Sequence, residues 1–459
     1  MRRRRLIVPI LGLVIASLAI SACSSSATTA PSAAAPSAAA PSAAAPSAAA
    51  SSAAASQAAA PLAPAKLTLW HNYGTEANAK ATQALVAAFE AKNPGVTIDV
   101  VSQPADNYFD LLQTAAISKT GPDIATQWTG LFDLKYASYL EPLNQYIPVD
   151  ELKKMKGIAY SSLNFNPDDG VLVVPLDLQF YNGFYNKDLF AKAGIATFPK
   201  TWDELFSACD KLKAIGVTPF TYGTGGQALG GGFYPWYDVS YLMMYLQPAD
   251  WTKLYSGAIP WTDPAVQAQF DKWGSLFTKG CTNKDVLTNQ DSVNQFETGQ
   301  AAMTMEGTWQ IADFQSKMGD KVDVFVPPFS DTPVKGIVEF AGDGLSMTNY
   351  SKNKTQAAAF LAFMASDEGQ KIIADNGIIP AKEGFGSDQR MAKNLLDFAA
   401  NQGFTRYPMI DNVIQPEVSD VGTKVLNAAF GGAQTMTQAL TSMQQALEAL
   451  PPESKNQIK

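Results

Sequence analysis

Histidine is almost absent from this chain of 459 residues, in which His71 is the only one. A Ser-His-Asp triad could use no other histidine, and the Gly-x-Ser-x-Gly nucleophile elbow is missing. A zinc site with two histidines is excluded, and no Cys-x-x-Cys pair could replace it. The sequence therefore disfavours serine hydrolases and zinc enzymes, and we expect neither a metal nor a cofactor.

Basic residues are also scarce, since 34 lysines and arginines stand against 42 acidic residues and give a formal net charge of −8. The one basic cluster is Arg2–Arg5, and the body of the chain has none. This distribution argues against a nucleic-acid partner and against electrostatic docking to a membrane. Aromatic residues reach 10% while charged residues make up only 17%, a balance that suits a protein presenting aromatic surface to a ligand.

Long apolar runs are missing apart from Leu6–Ile20, which follows the basic cluster. That run is short for a membrane span and right for a secretory signal. It ends in Ile-Ser-Ala-Cys23, which resembles the lipobox of bacterial lipoproteins. The resemblance implies that residues 1–22 are a signal peptide and that Cys23 takes lipid, anchoring the protein to the outer face of the cytoplasmic membrane. An ordinary signal peptide with an incidental cysteine is the alternative.

Residues 23–65 consist almost entirely of Ser, Ala, Thr and Pro, with Pro-Ser-Ala-Ala-Ala repeated four times from Pro31. Such a segment cannot bury enough apolar surface to fold. We interpret it as a disordered, semi-extended tether, with a cell-wall-spanning or glycosylated stalk as the alternative. Beyond Cys23, only Cys209 and Cys281 remain. Export favours one disulfide between them, and two free buried thiols are the other possibility.

The body from Lys66 to Lys459 is too long for one ordinary core, so two lobes are expected. Its beginning alternates between strand-like and helix-like patterns, which predicts a parallel sheet with helical crossovers and loops gathered at one edge. The predicted strands and helices, in chain order, are Lys66–Trp70, Thr75–Lys92, Val96–Val101, Tyr108–Ser118 and Asp123–Gln127.

A later stretch, Phe296–Trp309, also has the pattern of a helix end followed by a short strand. Gly299 suits the left-handed residue that ends a helix, and Ala301–Met305 fits a short buried strand. Gly307 would allow a tight turn that places the Trp309 indole at the carboxyl end of this strand, where ligands collect in open α/β sheets. Core packing of Trp309 is the alternative.

Several short motifs occur in an order that resembles the extracellular solute-binding proteins of ABC importers, in the carbohydrate-binding family that includes maltose-binding protein. The motifs span essentially the whole body, whereas the Ala-rich tether is not part of the family pattern. They are Leu67-Thr-Leu-Trp70, Phe89-Glu-Ala-Lys-Asn-Pro-Gly-Val96, Gly121-Pro-Asp-Ile124, Tyr185-Asn-Lys-Asp-Leu-Phe190, Pro199-Lys-Thr-Trp-Asp-Glu-Leu205, the Gly-x-Ala-Ala-Met and Gly-x-Trp elements of Phe296–Trp309, Ser351-Lys-Asn-Lys354 and Gly377-Ile-Ile-Pro380.

The resemblance implies an α/β, two-lobe periplasmic-binding-protein-like fold of type II, hinged by several chain crossings. With crossings near residues 174–176, 324–328 and 372–380, lobe 1 would contain 66–175 and 325–375. Lobe 2 would contain 176–324 and 376–459. A solute would bind between the lobes and shift the open–closed balance towards the closed form.

A sugar has an apolar face that an indole can cover and hydroxyl groups that favour carboxylates and amides. Trp309 matches the stacking tryptophan of the family, and Trp128 lies near another cleft position. Gln179 falls where the family often contacts its ligand; maltose-binding protein has a glutamate there, so its sugar contacts need not transfer. Asp177 would lie on the same strand face as Gln179, with a hinge-loop hydrogen bond as the alternative.

Further candidates come from three loops. Gly342 and Asp343 match a small-residue turn of the family that approaches the ligand, or they form an ordinary Asp-Gly turn. His71, Asn72 and Tyr73 follow the first strand, although a lone histidine is more often structural. The Gly-rich segment 225–238 does not have phosphate-loop spacing. We expect a flexible loop at the cleft rim that carries Trp236 and Tyr237, with loop packing as the alternative.

These observations predict a monomeric, non-enzymatic protein that captures a sugar or oligosaccharide and delivers it to membrane permease subunits. The second candidate is a binding protein for a polyamine or an osmolyte. An aromatic cage with carboxylates could hold the positive charge of such a ligand. A secreted glycoside hydrolase is a further alternative, because the 42 acidic residues offer many carboxylate pairs. The last alternative is a purely structural surface lipoprotein.

Overall fold

The computed structural model describes residues 61–73, 76–104, 107–130, 134–223, 234–327 and 335–455. The predicted signal peptide, the lipidation site Cys23, nearly all of the tether and the glycine-rich segment 224–233 lie outside these ranges. Across the described ranges, no helix combines the length and apolar composition that crossing a bilayer demands.

The first sheet has five strands in the order β2-β1-β3-β10-β4. Strand β1 runs parallel to both β2 and β3, which confirms the parallel arrangement predicted from the β-α-β-α-β pattern. Strand β10 pairs antiparallel with β3 and β4 and so adds a late segment of the chain to this sheet. The strands are β1 Ala65–His71, β2 Val96–Ser102, β3 Ile124–Trp128, β4 Val173–Pro175 and β10 Asp343–Met347.

The second sheet has the order β11-β9-β5-β7-β6, and β8 also pairs with β5. In β5, Tyr181 packs into one apolar cluster while Phe180 and Phe184 pack into another, because successive side chains of a strand face opposite sides. Helical layers therefore cover both faces of this sheet. The strands are β5 Leu178–Asn186, β6 Thr218–Thr221, β7 Ala301–Gly307, β8 Val322–Phe325, β9 Gly336–Ala341 and β11 Thr405–Tyr407.

The helices begin and end largely where sequence chemistry places them. Thr201 accepts a hydrogen bond from the backbone N–H of Glu204 at the start of one helix, and Thr435 forms a capping box with Gln438 at the start of another. Gly299 follows a helix with φ of +76°, as predicted. The helices of the described residues are α1 Glu76–Lys92, α2 Tyr108–Ser118, α3 Val149–Leu152, α4 Lys187–Lys192, α5 Trp202–Ala214, α6 Tyr234–Leu242, α7 Trp251–Ser256, α8 Pro264–Thr278, α9 Ser292–Glu297, α10 Ile311–Met318, α11 Lys354–Ala365, α12 Asp367–Asp375, α13 Arg390–Ala400, α14 Ile410–Val413, α15 Pro416–Phe430 and α16 Met436–Glu448.

The chain passes between the two sheets at three places. It leaves β4 and enters β5 at residues 176–177, and it leaves β9 and enters β10 at Gly342. The third passage follows α12, where the backbone N–H of Leu178 donates to the carbonyl of Ile379 at 2.8 Å. The first and third passages therefore run side by side, and an isolated bridge joins Asp177 to Pro380.

One sequence prediction about these passages is wrong. Residues 325–341 were expected with the first sheet, but β9 pairs antiparallel with β5 in the second sheet. Only Gly342 separates β9 from β10, so the chain changes sheets at this residue rather than near 324–328. The reason is a long-range pairing that no local pattern contains, because Leu178 lies opposite Ala341 in the register.

Cys209 and Cys281 form a disulfide whose Cα atoms are 5.4 Å apart. Both residues are buried in the core that covers one face of the second sheet. The bridge ties α5 to the segment after α8, across 72 positions of sequence.

Candidate functional site

Trp309 follows β7, a strand whose seven residues are all buried. Its Nε1–H donates to the Oε2 of the buried Glu306 at 3.0 Å. The indole lies directly over Gly307, because a Cβ added there would meet the ring at 2.0–2.4 Å. Gly307 itself has φ of −127°, which any residue can adopt. The glycine is therefore needed for the close approach of the indole, and not for the turn that the sequence suggested.

Asp343 begins β10 and lies opposite Trp128 in the register with β3. The Nδ2 of Asn78, in the first turn of α1, donates to Oδ2 of Asp343 at 2.9 Å. Trp128 is half-buried, and its ring packs edge-on against Phe109 with 4.9 Å between centroids. An aromatic and an acidic side chain thus meet at this edge of the first sheet.

Asp177 and Gln179 lie where the chain enters the second sheet. The Nε2 of Gln179 donates to Oδ2 of Asp177 at 2.8 Å, while the buried Oδ1 of Asp177 has no hydrogen-bond partner. The Gln179 amide lies over Gly342, where a Cβ would come within 2.0 Å of it. Gly342 in turn donates its N–H to the carbonyl of Asp177 at 3.1 Å. Three of the predicted site residues are therefore packed together at the passages between the sheets.

Burial shapes the electrostatics of the two aspartates. It raises the pKa of Asp343 to about 7, against a stabilising hydrogen bond from Asn78. It also raises the pKa of Asp177 well above its ordinary value, and the negative charge of Asp343 adds to that shift. Two carboxyl groups that disfavour each other's ionisation therefore lie close together.

Two tyrosines face the same acidic region. Burial raises the pKa of Tyr237, and the charges of Asp411, Asp343 and Glu306 raise it further. Burial and the charge of Asp343 likewise raise the pKa of Tyr73. Asp343 therefore interacts with groups from both halves of the body, since Tyr237 belongs to helix α6 and Tyr73 follows strand β1.

A small cavity of about 10 Å³ lies between the two halves of the body. Its lining includes Asn78 from α1, Asp177 from the first passage and Trp309 from the end of β7, so it contains elements of both halves of the body. The complete lining is Ala77, Asn78, Asp177, Leu178, Thr308, Trp309, Ala312, Gly377, Ile378 and Ile379.

Trp236 does not lie on a cleft-rim loop. It belongs to the first turn of α6, has no exposed surface, and packs in the core against Trp261 and over Gly422. Its Nε1–H donates to the carboxylate of Asp411. The glycines before it suggested a loop, but the run from 234 to 242 is apolar enough to form a buried helix.

The segment after β1 is more closed than the sequence suggested. His71 is 5% exposed and stacks on Tyr73 with 4.8 Å between ring centroids. Its Nδ1 accepts a hydrogen bond from the backbone N–H of Tyr73 at 3.3 Å, and burial lowers its pKa. Asn72 is also buried, with its Nδ2 lacking a hydrogen-bond partner. His71 is therefore buried and held against Tyr73, and its place among the ligand-binding residues stays a prediction.

Sequence reasoning missed two residues of this region, Asn78 and Glu306. Asn78 is an ordinary polar residue in the first turn of a helix, so nothing local distinguishes it. Glu306 could have been found, because a carboxylate inside the otherwise apolar strand Ala301–Gly307 requires a partner. No group of three His, Cys, Asp or Glu residues within the described ranges is placed to hold a metal ion.

Two α/β sheets joined by three chain passages, with aromatic, amide and carboxyl groups between them, define the class of two-lobe solute-binding proteins. The sequence profile of the bacterial extracellular solute-binding proteins matches residues 73–371. This match spans well over half of the chain, and the protein belongs to that family.

Individual relatives agree with this assignment. A binding protein of Brucella abortus is 28% identical over 303 residues, which cover 64% of this chain and 71% of that protein. An ABC transporter extracellular-binding protein of Pyrococcus horikoshii is 25% identical over 329 residues, covering 69% and 72% of the two chains. The solved structure of a chitin oligosaccharide binding protein aligns with a TM-score of 0.73 at 25% identity, covering 84% of this chain and 98% of that one. The predicted two-lobe α/β fold is confirmed.

Proposed function

We propose that this protein captures a sugar or oligosaccharide between its lobes and delivers it to the permease subunits of an ABC importer. The observation that carries the proposal is that Trp309, after β7, lines one small cavity together with Asn78 of α1 and Asp177 of the first passage, so both halves of the body contribute to it. The space between them is about 10 Å³, so the lobes have to open before a sugar can enter. The lining combines an aromatic face with a few hydrogen-bonding groups, among apolar side chains such as Leu178 and Ile379.

The residue types match the two sides of a sugar. An indole can cover the apolar C–H face of the ring, while carboxyl and amide groups accept and donate hydrogen bonds around its rim. Trp309 and Trp128 supply aromatic faces, and Asp343 with Asn78 supplies a polar pair. The family, and the chitin oligosaccharide binding protein whose fold this chain shares, support the same choice.

In this proposal the lobes meet at residues 176–177, Gly342 and 376–389, and these passages act as hinges. Residues 66–175 and 343–375 then form lobe 1, while 178–341 and 390–455 form lobe 2. A sugar that contacts both lobes binds the closed form better than the open form and so shifts the population. Micromolar affinity corresponds to roughly −8 kcal/mol, which a few stacking and hydrogen-bond contacts can supply.

We propose a binding role without catalysis, which the family of binding proteins supports. We place the protein outside the cell as a monomer, anchored through lipid on Cys23 and held away from the membrane by the tether of residues 23–65. Mass spectrometry of the membrane fraction tests the anchor, since a diacylglyceryl modification on Cys23 is expected and an unmodified amino terminus elsewhere would contradict it.

A melting-temperature screen against mono-, di- and oligosaccharides tests the proposal. We expect at least one sugar to stabilise the wild type, and Trp309→Ala to weaken its binding roughly 30-fold, because an aromatic face contributes about 2 kcal/mol. Trp309→Phe is the matched control and retains most of the affinity because it keeps a stacking face. Equal binding by wild type and Trp309→Ala would remove Trp309 from the site.

The alternatives have their own readouts. A polyamine or osmolyte binder would respond to spermidine or glycine betaine in the same screen and to no sugar. A glycoside hydrolase would release new reducing ends from oligosaccharides during incubation, and we expect none.

A further inference from the structure

Carboxyl groups dominate the polar surroundings of the candidate site. Asp177, Asp343 and Asp411 come from three separate segments, and Glu306 accepts the Trp309 indole N–H. Burial raises the pKa of Tyr237, and the charges of Asp411 and Asp343 raise it further. The region therefore concentrates carboxyl groups between the two sheets.

These three aspartates accept hydrogen bonds from uncharged donors. Gln179 donates to Asp177 at 2.8 Å and Asn78 donates to Asp343 at 2.9 Å. The indole N–H of Trp236 donates to Asp411, and the hydroxyl of Ser419 donates to Oδ1 of Asp411 at 3.3 Å. None of the ion pairs among the described residues includes any of the three aspartates.

The undescribed loops cannot supply the missing positive charge. Residues 74–75, 105–106, 131–133, 224–233 and 328–334 contain no lysine or arginine. Among the described residues, the side chain of Gln179 donates to the Asp177 carboxylate, and no cation lowers the pKa of Asp177. The carboxyl groups are therefore balanced by hydrogen bonds alone.

We propose that this site acts as a charge filter, accepting sugars that are neutral or carry an amine and rejecting sugars that carry a carboxylate or a phosphate. The proposal rests on the sugar-binding function above and specifies the class of sugar. Asp177 and Asp343 are the residues that determine the specificity.

The physical reason is that the three kinds of substituent interact differently with these groups. A hydroxyl donates to a carboxylate, and an ammonium adds an opposite charge. An anionic group within about 5 Å of one ionised carboxylate weakens binding on the order of 100-fold at an effective dielectric constant near 20. No cation in the described part of the site offsets that repulsion.

Matched sugars that differ in one substituent test the filter. Glucose, glucosamine and glucuronate form one trio, and galactose, galactosamine and galacturonate form another, each measured by thermal shift and calorimetry at pH 7.5. We expect the neutral or amino member of a trio to bind and its uronate to bind at least 100-fold more weakly. A uronate that binds as well as its neutral counterpart would overturn the filter and leave sugar binding intact.

Glucose 6-phosphate extends the same comparison to phosphate, and it should not stabilise the protein. If spermidine binds while every sugar fails, sugar binding is wrong and the preference for positive charge stands. The two proposals therefore fail on different outcomes.

If no sugar of either trio binds, the pH dependence of the melting temperature, measured without ligand, tests the carboxyl charges. Carboxyl groups whose pKa values are raised on folding bind more protons in the folded state between about pH 4 and 7, so they lower the stability as the pH rises through that window. We expect the melting temperature of the wild type to fall from pH 5 to pH 8, and Asp343→Asn or Asp177→Asn to reduce that slope.

Burial raises the pKa of Asp411 to about 6, so Asp411 adds to this slope, whereas burial lowers the pKa of His71, which opposes it. Each variant should therefore reduce the slope without abolishing it. Tyr73 and Tyr237 stay neutral there because their pKa values are raised. The exposed Asp320, which lies outside the passages, is the control, and Asp320→Asn should leave the slope unchanged. Identical slopes in the wild type and both site variants would show that the carboxyl charges are compensated, and this result would overturn the filter.

Discussion

Replacing Gly307 by alanine should disable the candidate site without changing a polar side chain, although the displaced indole would also lose its hydrogen bond to Glu306. The added methyl would occupy space 2.0–2.4 Å from three atoms of the Trp309 ring, so the indole has to leave its position. The backbone does not resist the change, because φ of −127° is open to alanine. We therefore expect the Trp309 side chain to move while the backbone of strand β7 keeps its conformation.

The magnitude follows from the two parts of this displacement. A forced methyl in a packed region costs typically 1–3 kcal/mol of stability. Loss of the aromatic face should weaken sugar binding roughly 30-fold, as in Trp309→Ala. In the Trp309→Ala background the methyl meets no ring, so Gly307→Ala should then have almost no further effect on either quantity.

Calorimetric binding and thermal unfolding of the two single variants and the double variant form a double-mutant cycle. Gly274→Ala is the control, since Gly274 lies inside α8 with nothing within 4 Å of an added Cβ. It should stabilise the protein by roughly 0.5–1 kcal/mol. Unchanged sugar affinity in Gly307→Ala, or effects that simply add in the double variant, would refute the link between this glycine and the indole.

Three further predictions follow from other parts of the structure. Cys209→Ser opens a bridge to Cys281 that closes 72 positions of sequence, so the unfolding free energy should fall by about 2–5 kcal/mol, and a reducing agent should no longer change the melting temperature. The pKa of the buried Asp238 is raised to about 7; its contribution to stability therefore declines as the pH rises from about 4 to 7, and Asp238→Asn should flatten that part of the melting profile. Gly130 has φ of +96° and packs against Asn412 across the two halves of the body, so Gly130→Ala should favour an open form with a larger radius of gyration by small-angle X-ray scattering, and an unchanged radius would contradict this.

The local elements were predictable because their signals are short-range. Strand β1, helix α1, strand β2, helix α2 and strand β3 follow the sequence pattern to within a residue or so. Parallel pairing also followed, because helical crossovers leave few other arrangements.

Other features required the tertiary structure. Trp236 and Tyr237 are adjacent in sequence, yet the helix buries the first and directs the second towards Asp343. Asn78 donates to Asp343 across 265 positions, a contact that no local pattern can encode.

By itself, the sequence determined the kinds of side chain available and the order of the early strands and helices. The tertiary structure alone decided which groups meet. Leu178 pairs with Ala341, and this pairing places β9 in the second sheet and brings Asp177 next to Gly342. The physical reason is that periodicity and turn chemistry act over a few residues, whereas a site between two sheets is built by contacts between segments that lie far apart along the chain.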